Sequence, residues 1–193
     1  MTPVWDVLVY VVLPLWVLSG FADYLCHRAA HMECATGARE SVFHWLMLGE
    51  AGVALAAATW LEVNALVFVW LIVLLAVHEI TSHFDGRYAT ATRRVTVFEF
   101  QIHALLEILP LTALLLLAIM HWQQAEALFG FGRTHADWRL VLKPPPSFAV
   151  IGPLAAAFFL LAVLPYSEEF WRGLRARRAA RTKAPDGVSD AGR

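Results

Sequence analysis

Five stretches of apolar residues separated by short polar segments set the pattern of this chain, at residues 4–21, 41–61, 65–83, 98–120 and 148–164. Each is close to the roughly 20 residues an α-helix needs to cross a bilayer at 1.5 Å per residue. The pattern predicts an all-α integral membrane bundle of about five transmembrane helices. Residues 1–171 form a single transmembrane domain, and residues 172–193 a basic cytoplasmic tail. The first span is expected to continue as a polar helix through His31. Pro14, Pro110 and Pro153 fall inside spans, where neighbouring groups can satisfy the carbonyls they free. Gly20-Phe21-Ala22 resembles a leader-processing site, but no basic region precedes the first span, so it reads as a retained anchor.

Polar residues break this pattern at one depth. Asp23/His27/His31, Glu40/His44, His78/Glu79/His83/Asp85 and Glu99/His103/Glu107 all fall at the same end of their spans. Residues four apart share a helix face, so most of these sets form stripes able to face one central cavity. His78 and His83 are five apart and need either a local distortion or separate roles. Ionisable groups at the edge of the hydrocarbon are costly unless paired, and so many converging at one level point to a shared metal centre. The candidate ligands are His27, His31, Glu40, His44, His78, His83, His103 and Glu107. Asp23, Glu79, Asp85 and Glu99 are further ligands or carboxylates that orient imidazoles. Glu50 lies deeper, and three roles stay open for it: orienting acid, proton-path residue, or protonated carboxyl bonded to a neighbouring helix. His31-x-Glu33 followed by Glu40-x3-His44 is echoed by His83-x-Asp85 followed by Glu99-x3-His103. That echo suggests two related hairpins, and hence a four-helix metal-binding bundle with quasi-twofold symmetry.

Composition sharpens the picture. Hydrophobic residues make up 59% of the 193 positions and charged residues 16%, too apolar for a soluble domain of this size. The net charge of −1 hides a basic segment from residue 166 to the end, and Arg28, Arg39, Arg87, Arg93 and Arg94 lie in loops on the same side. The positive-inside bias makes that side cytoplasmic. Arg133, Arg139 and Lys143 in the opposing loop weaken the bias without reversing it. Arg28, Arg93 and Arg94 read either as topology determinants or as partners for the carboxylate-rich site. The basic tail directly follows a hydrophobic span, which favours a membrane surface over nucleic acid as its partner. Cys26 and Cys34 would lie about 12 Å apart on one helix, too far for a disulfide, and read as reduced thiols. The Arg- and Ala-rich composition suggests a bacterial inner membrane. The loop over residues 122–146, with Gly130, Gly132 and a run of three prolines, is expected to be an interfacial flap.

Mixed imidazole and carboxylate ligands suit iron, manganese or zinc, and the ligand candidates are too many for one ion. The run Asp23-Tyr24-Leu25-Cys26-His27-Arg28-Ala29-Ala30-His31 resembles the first histidine box of the fatty acid hydroxylase and sterol desaturase superfamily. The resemblance implies a membrane-embedded diiron site at the cytoplasmic side, dioxygen-dependent hydroxylation or desaturation of lipids, and His27 and His31 as ligands. The later H-x-x-H-H boxes of that family are replaced here by Glu40-x3-His44, His78-x4-His83 and Glu99-x3-His103-x3-Glu107. The expected activity is a dioxygen-using diiron oxidoreductase acting on a lipid-like substrate, with an acidic ferredoxin-like electron donor received by the loop arginines. Alternatives are a zinc-dependent lipid hydrolase built on His27 and His31, a b-type haem carrier ligated by His44 and His103, and a divalent-metal transporter.

Overall fold

The computed structural model describes residues 2–36, 38–144 and 146–183. Five of its helices are long and apolar enough to cross a membrane. They are α1 (Pro3–Ala29), α3 (Arg39–Trp60), α4 (Ala65–Thr92), α5 (Val97–Met120) and α7 (Phe148–Thr182). Two short helices, α2 (Met32–Ala35) and α6 (Trp122–Leu128), sit in the connections. There is no strand among the described residues beyond a single bridge between Leu61 and Leu142.

Local chemistry explains the helix ends. Thr2 accepts a hydrogen bond from the Trp5 amide, and Pro3 occupies the first turn of α1, where its missing N–H costs nothing. Asn64 caps α4 by accepting from the Val67 amide. Thr96 and Glu99 form a reciprocal capping box on α5. α1 stops at Ala29, and His31 takes a left-handed conformation with φ 49° before α2 begins. Gly130 and Gly132, at φ 76° and 80°, turn the chain out of α6.

α1 and α7 each contain one wider π-type turn, at Leu8–Val12 and Phe159–Val163. Both run into the same tripeptide, Val12-Leu13-Pro14 and Val163-Leu164-Pro165. A proline removes one backbone donor and crowds the carbonyl four residues back, and a π turn relieves both by re-pairing over five residues. In α7 this adjustment comes immediately before Tyr166 and Glu169. Pro110 lies inside α5 and Pro153 inside α7, each in α-helical backbone without a π turn at its own position.

The tightest helix pairs are α3 with α4 and α1 with α5, and α7 lies along α1 with its inner half also against α3. The outer half of the bundle has an apolar core of Leu8, Val12, Val67, Phe68, Leu71, Leu109 and Leu117. The flap segment after α6 folds back over the outer ends of α3 and α4. Its backbone pairs Val141 with Glu62 and Lys143 with Trp60, while Asn64 donates to the Arg139 carbonyl at 2.7 Å.

Two expectations change. Helix α4 runs on to Thr92, nine residues beyond the expected end of its span, so Asp85 is helical rather than in a loop. The fifth helix runs on without a break into the expected basic tail, through Lys183, which extends it beyond the expected end of its span at residue 164; residues 184–193 lie outside the described residues.

Candidate metal centre

Near the inner ends of the helices, five carboxylates are buried together: Asp23, Glu40, Asp85, Glu99 and Glu169. With them are His27 and His44, also buried, and the half-buried His103. α1 supplies Asp23 and His27 from adjacent turns, α3 supplies Glu40, Ser41 and His44, and α4 supplies Asp85. α5 brings Glu99 and His103, and α7 brings Tyr166 and Glu169. All five long helices contribute, which corrects the expected four-helix site.

Glu169 organises the centre. One oxygen lies 3.1 Å from His27 Nδ1, and the other lies 2.7 Å from His44 Nδ1 and accepts from Ser41 at 2.9 Å. The two imidazoles stack with ring centres 4.6 Å apart and planes 10° apart. A single carboxylate thus occupies the Nδ1 side of both rings and leaves both Nε2 atoms free, the arrangement by which carboxylates orient metal-binding histidines. His27 Nε2 lies 3.2 Å from Glu99 and 3.4 Å from Asp23, and His44 Nε2 lies 3.5 Å from Asp85. Both Nε2 atoms and one Asp85 oxygen are buried with no hydrogen-bond partner among the described residues.

The remaining groups brace this arrangement. His103 Nε2 sits 2.9 Å from one oxygen of Asp23, while Tyr166 donates to the other at 3.2 Å and also contacts the Gly20 carbonyl. Arg93, just beyond α4, bridges Glu40 and Glu99, with Nη2 to Glu40 at 2.6 Å and a close pair to Glu99. Burial opposes charge on this guanidinium, but its bonds to Glu99 and Glu40 outweigh that and raise its pKa above the usual value. Two sets of side chains come close enough together to hold a metal ion: Asp23, His27, Glu99 and His103, and His27, Glu40 and His44.

The charge count bears on occupancy. Five buried carboxylates face one guanidinium and three imidazoles, so acidic groups outnumber basic ones in the cluster. Buried charge is tolerated only when paired. The Nε2 atoms of His27 and His44 and the Asp85 oxygen are ligand atoms of a type that divalent cations accept.

Other predicted residues are not brought to this cluster. His31 lies beyond the end of α1, where the left-handed turn breaks the i+4 register, and it is exposed beside Glu33. His83 precedes Asp85 by two residues, about 200° around the helix, so a face that buries Asp85 turns His83 outward. Glu107 is exposed and accepts from Ser82 at 3.0 Å, and Glu79 is half-buried without joining the cluster. His78 is buried but pairs with Glu50 at 3.2 Å, away from the five carboxylates. Glu169, Tyr166 and Ser41 were missed from sequence. The available signal was the Tyr166-x-x-Glu169 spacing, which places both on one helix face directly after Pro165.

The centre opens into a chamber of about 320 Å³ running toward the outer half of the bundle. Asp23, His44, Asp85 and His103 lie at its polar end, and Leu13, Leu55, Leu154 and Phe158 are among its apolar walls. The chain matches no family model, no curated protein and no solved structure.

Proposed function

We propose that this chain is a membrane-embedded dimetal oxidoreductase, with iron as the metal, that uses dioxygen to hydroxylate or desaturate a lipid-like substrate at the cytoplasmic leaflet of a bacterial inner membrane. The observation that carries the reading is a buried set of five carboxylates around two imidazoles that Glu169 holds by Nδ1, with both Nε2 atoms turned toward further carboxylates at 3.2–3.5 Å but hydrogen-bonded to none. Asp23, His27, Glu99 and His103 would hold one ion, and His44 would serve the other, with Glu40 close to it and Asp85 3.5 Å from its Nε2. Bound iron would supply the dioxygen reduction that oxidation of an unactivated C–H bond requires.

The chain's own residues do the rest. Glu169 fixes both imidazoles with Nδ1 toward its carboxylate, so that neither ring can turn its free nitrogen away. Arg93 holds Glu40 and Glu99 apart from solvent and neutralises part of their charge. Tyr166 keeps Asp23 oriented through its second oxygen. The apolar chamber excludes water and presents an alkyl chain to the polar end, the division of labour expected of a site that oxidises hydrocarbon. Exposed Arg28 and the arginines of the inner part of α7 form the face offered to an acidic electron donor.

A haem reading leaves the five carboxylates without a purpose, and a single zinc occupies only one of the two sets of side chains that could hold an ion. Elemental analysis of detergent-purified protein tests the proposal, together with spectra before and after anaerobic reduction and readmission of oxygen. The expected result is about two iron atoms per chain and an absorption change that responds to oxygen. One zinc per chain with oxygen-independent hydrolysis, or a haem Soret band, would overturn it.

A further inference from the structure

A second polar node lies deeper in the bundle, in the wall of the same chamber. Glu50 of α3 accepts from Thr81 at 2.9 Å with one oxygen and lies 3.2 Å from His78 Nδ1 with the other. His78, Ser82 and Asp85 follow at i, i+4 and i+7 along α4, and all three line the chamber. His78 therefore stands two helical turns, about 10 Å, farther from the cytoplasmic side than Asp85. Apart from the Glu50–Thr81–Ser82 side, the side chains that line both this chamber and a smaller cavity with His78 are the apolar Trp16, Ala51 and Leu55.

His78 is 8% exposed, and Glu50 also lies on the wall of that smaller cavity. Its Nδ1 is committed to Glu50, while its Nε2 makes no hydrogen bond among the described residues. A carboxylate and an imidazole at this depth are expensive, and a purely packing role would be filled by leucine and alanine, as elsewhere in this wall. The bonds from Thr81 and His78 account for both Glu50 oxygens. They do not account for the free nitrogen at the chamber wall.

We propose that His78 is the hydrogen-bond acceptor for a hydroxyl or amide N–H carried within an otherwise apolar ligand of the chamber. In the tautomer that donates Nδ1–H to the Glu50 carboxylate, Nε2 carries the lone pair and so selects a donor. The ligand class is an amphiphile whose donor group sits about 10 Å from the carboxylate-rich end, with apolar chain extending past it along the outer part of the chamber. Simple hydrocarbon chains, ethers and esters lack that donor and leave Nε2 unpaired. The inference depends on the proposed function only in taking this ligand as the substrate; the binding preference itself requires no metal.

The test is competition binding to the full-length protein in nanodiscs, both metal-loaded and chelator-stripped, with tritiated methyl 12-hydroxystearate as the probe. Methyl 12-methoxystearate and methyl stearate are the competitors. The hydroxy ester is expected to bind about tenfold or more tightly than either analogue, because each analogue leaves a buried acceptor unsatisfied. His78→Leu is expected to erase that preference and Glu50→Gln to weaken it, with metal content unchanged in both. Equal affinity for the three esters in the unsubstituted protein would overturn the inference without relying on any variant, and so would a preference that survives His78→Leu. Protein that takes up no metal under iron-loading conditions yet shows the preference defeats the oxidoreductase reading alone. Protein with two irons and no preference defeats this one alone.

Discussion

In the outer half of the bundle α4 buries Val67, Phe68 and Leu71 against Leu109 and Leu117 of α5, whereas two turns past His78 the same helix buries Asp85 beside His44. Along α1 the change is as sharp, from Leu8 and Val12 to Asp23 and His27. The two halves are held by different forces. Lipid tails are as apolar as leucine, so the outer half gains chiefly from close packing and little from removing apolar surface from water. The inner half instead buries five carboxylates among three imidazoles and a guanidinium, where stability depends on how completely these charges are paired. One contiguous set of helices thus carries a packing problem at one end and a charge-balance problem at the other.

The largest effect is expected from removing the metal-facing nitrogens. The double substitution His27→Ala, His44→Ala should reduce bound metal to near zero by elemental analysis and lower the thermal midpoint of the purified protein, because the buried carboxylates then lose these imidazole partners as well as the metal. Chelation of the unsubstituted protein should move the midpoint in the same direction. A double variant that still holds two metal ions per chain would place the centre elsewhere. Next in size is Arg93→Met, which strips the guanidinium from Glu40 and Glu99. Breaking a buried ion pair from one side costs about 3–5 kcal/mol, and hydrogen exchange should show the loss at the α5 N-terminus rather than in the outer core.

The division between the halves was partly legible in the sequence. Long apolar runs fixed the five spans, because nothing but a helix satisfies its backbone in lipid over such lengths. The i+4 stripes Asp23/His27, Glu40/His44 and Glu99/His103 showed which faces turn inward. Helix phase was less legible. His83 and Asp85 look like one cluster in the sequence, yet two residues of helix turn them to opposite sides. Glu169 was hidden differently: its neighbours Glu168, Arg172 and Arg175 make the segment read as a solvated basic tail, while the structure buries this one carboxylate at 1% exposure. The π turn before Pro165 sets the phase of the helix there, and no apolar periodicity announces it.

Smaller effects separate the halves more finely. Leu71→Ala in the outer core should destabilise the protein by about 2–3 kcal/mol through the cavity it leaves, without changing metal content or the absorption spectrum. An outer-core substitution that released metal would mean that the two halves are coupled through packing and not independent. Glu169→Gln keeps the size of the side chain but removes its charge and one acceptor. Loss of a carboxylate that orients metal-binding histidines weakens metal affinity roughly 10–100-fold. This variant should therefore load at high iron and lose metal on dilution, measured by competition with a coloured chelator.

The smallest expected effect is the most discriminating. His31 completes an H-R-x-x-H element with His27, and four-residue spacing alone would put both rings on one metal. The helix ends two residues before His31, and the positive φ there sends the imidazole to the surface with a side chain 79% exposed, beside Glu33 at 3.8 Å. His83 is exposed in the same way on the outward face of α4. His31→Ala and His83→Ala should each leave metal content, spectrum and thermal midpoint unchanged, while His27→Ala in the same background should lose metal. If His31→Ala instead depletes one ion, the turn after Ala29 must rewind into helix when metal binds. The inner half would then be a site assembled by its cations rather than one already formed by Glu169 and Arg93.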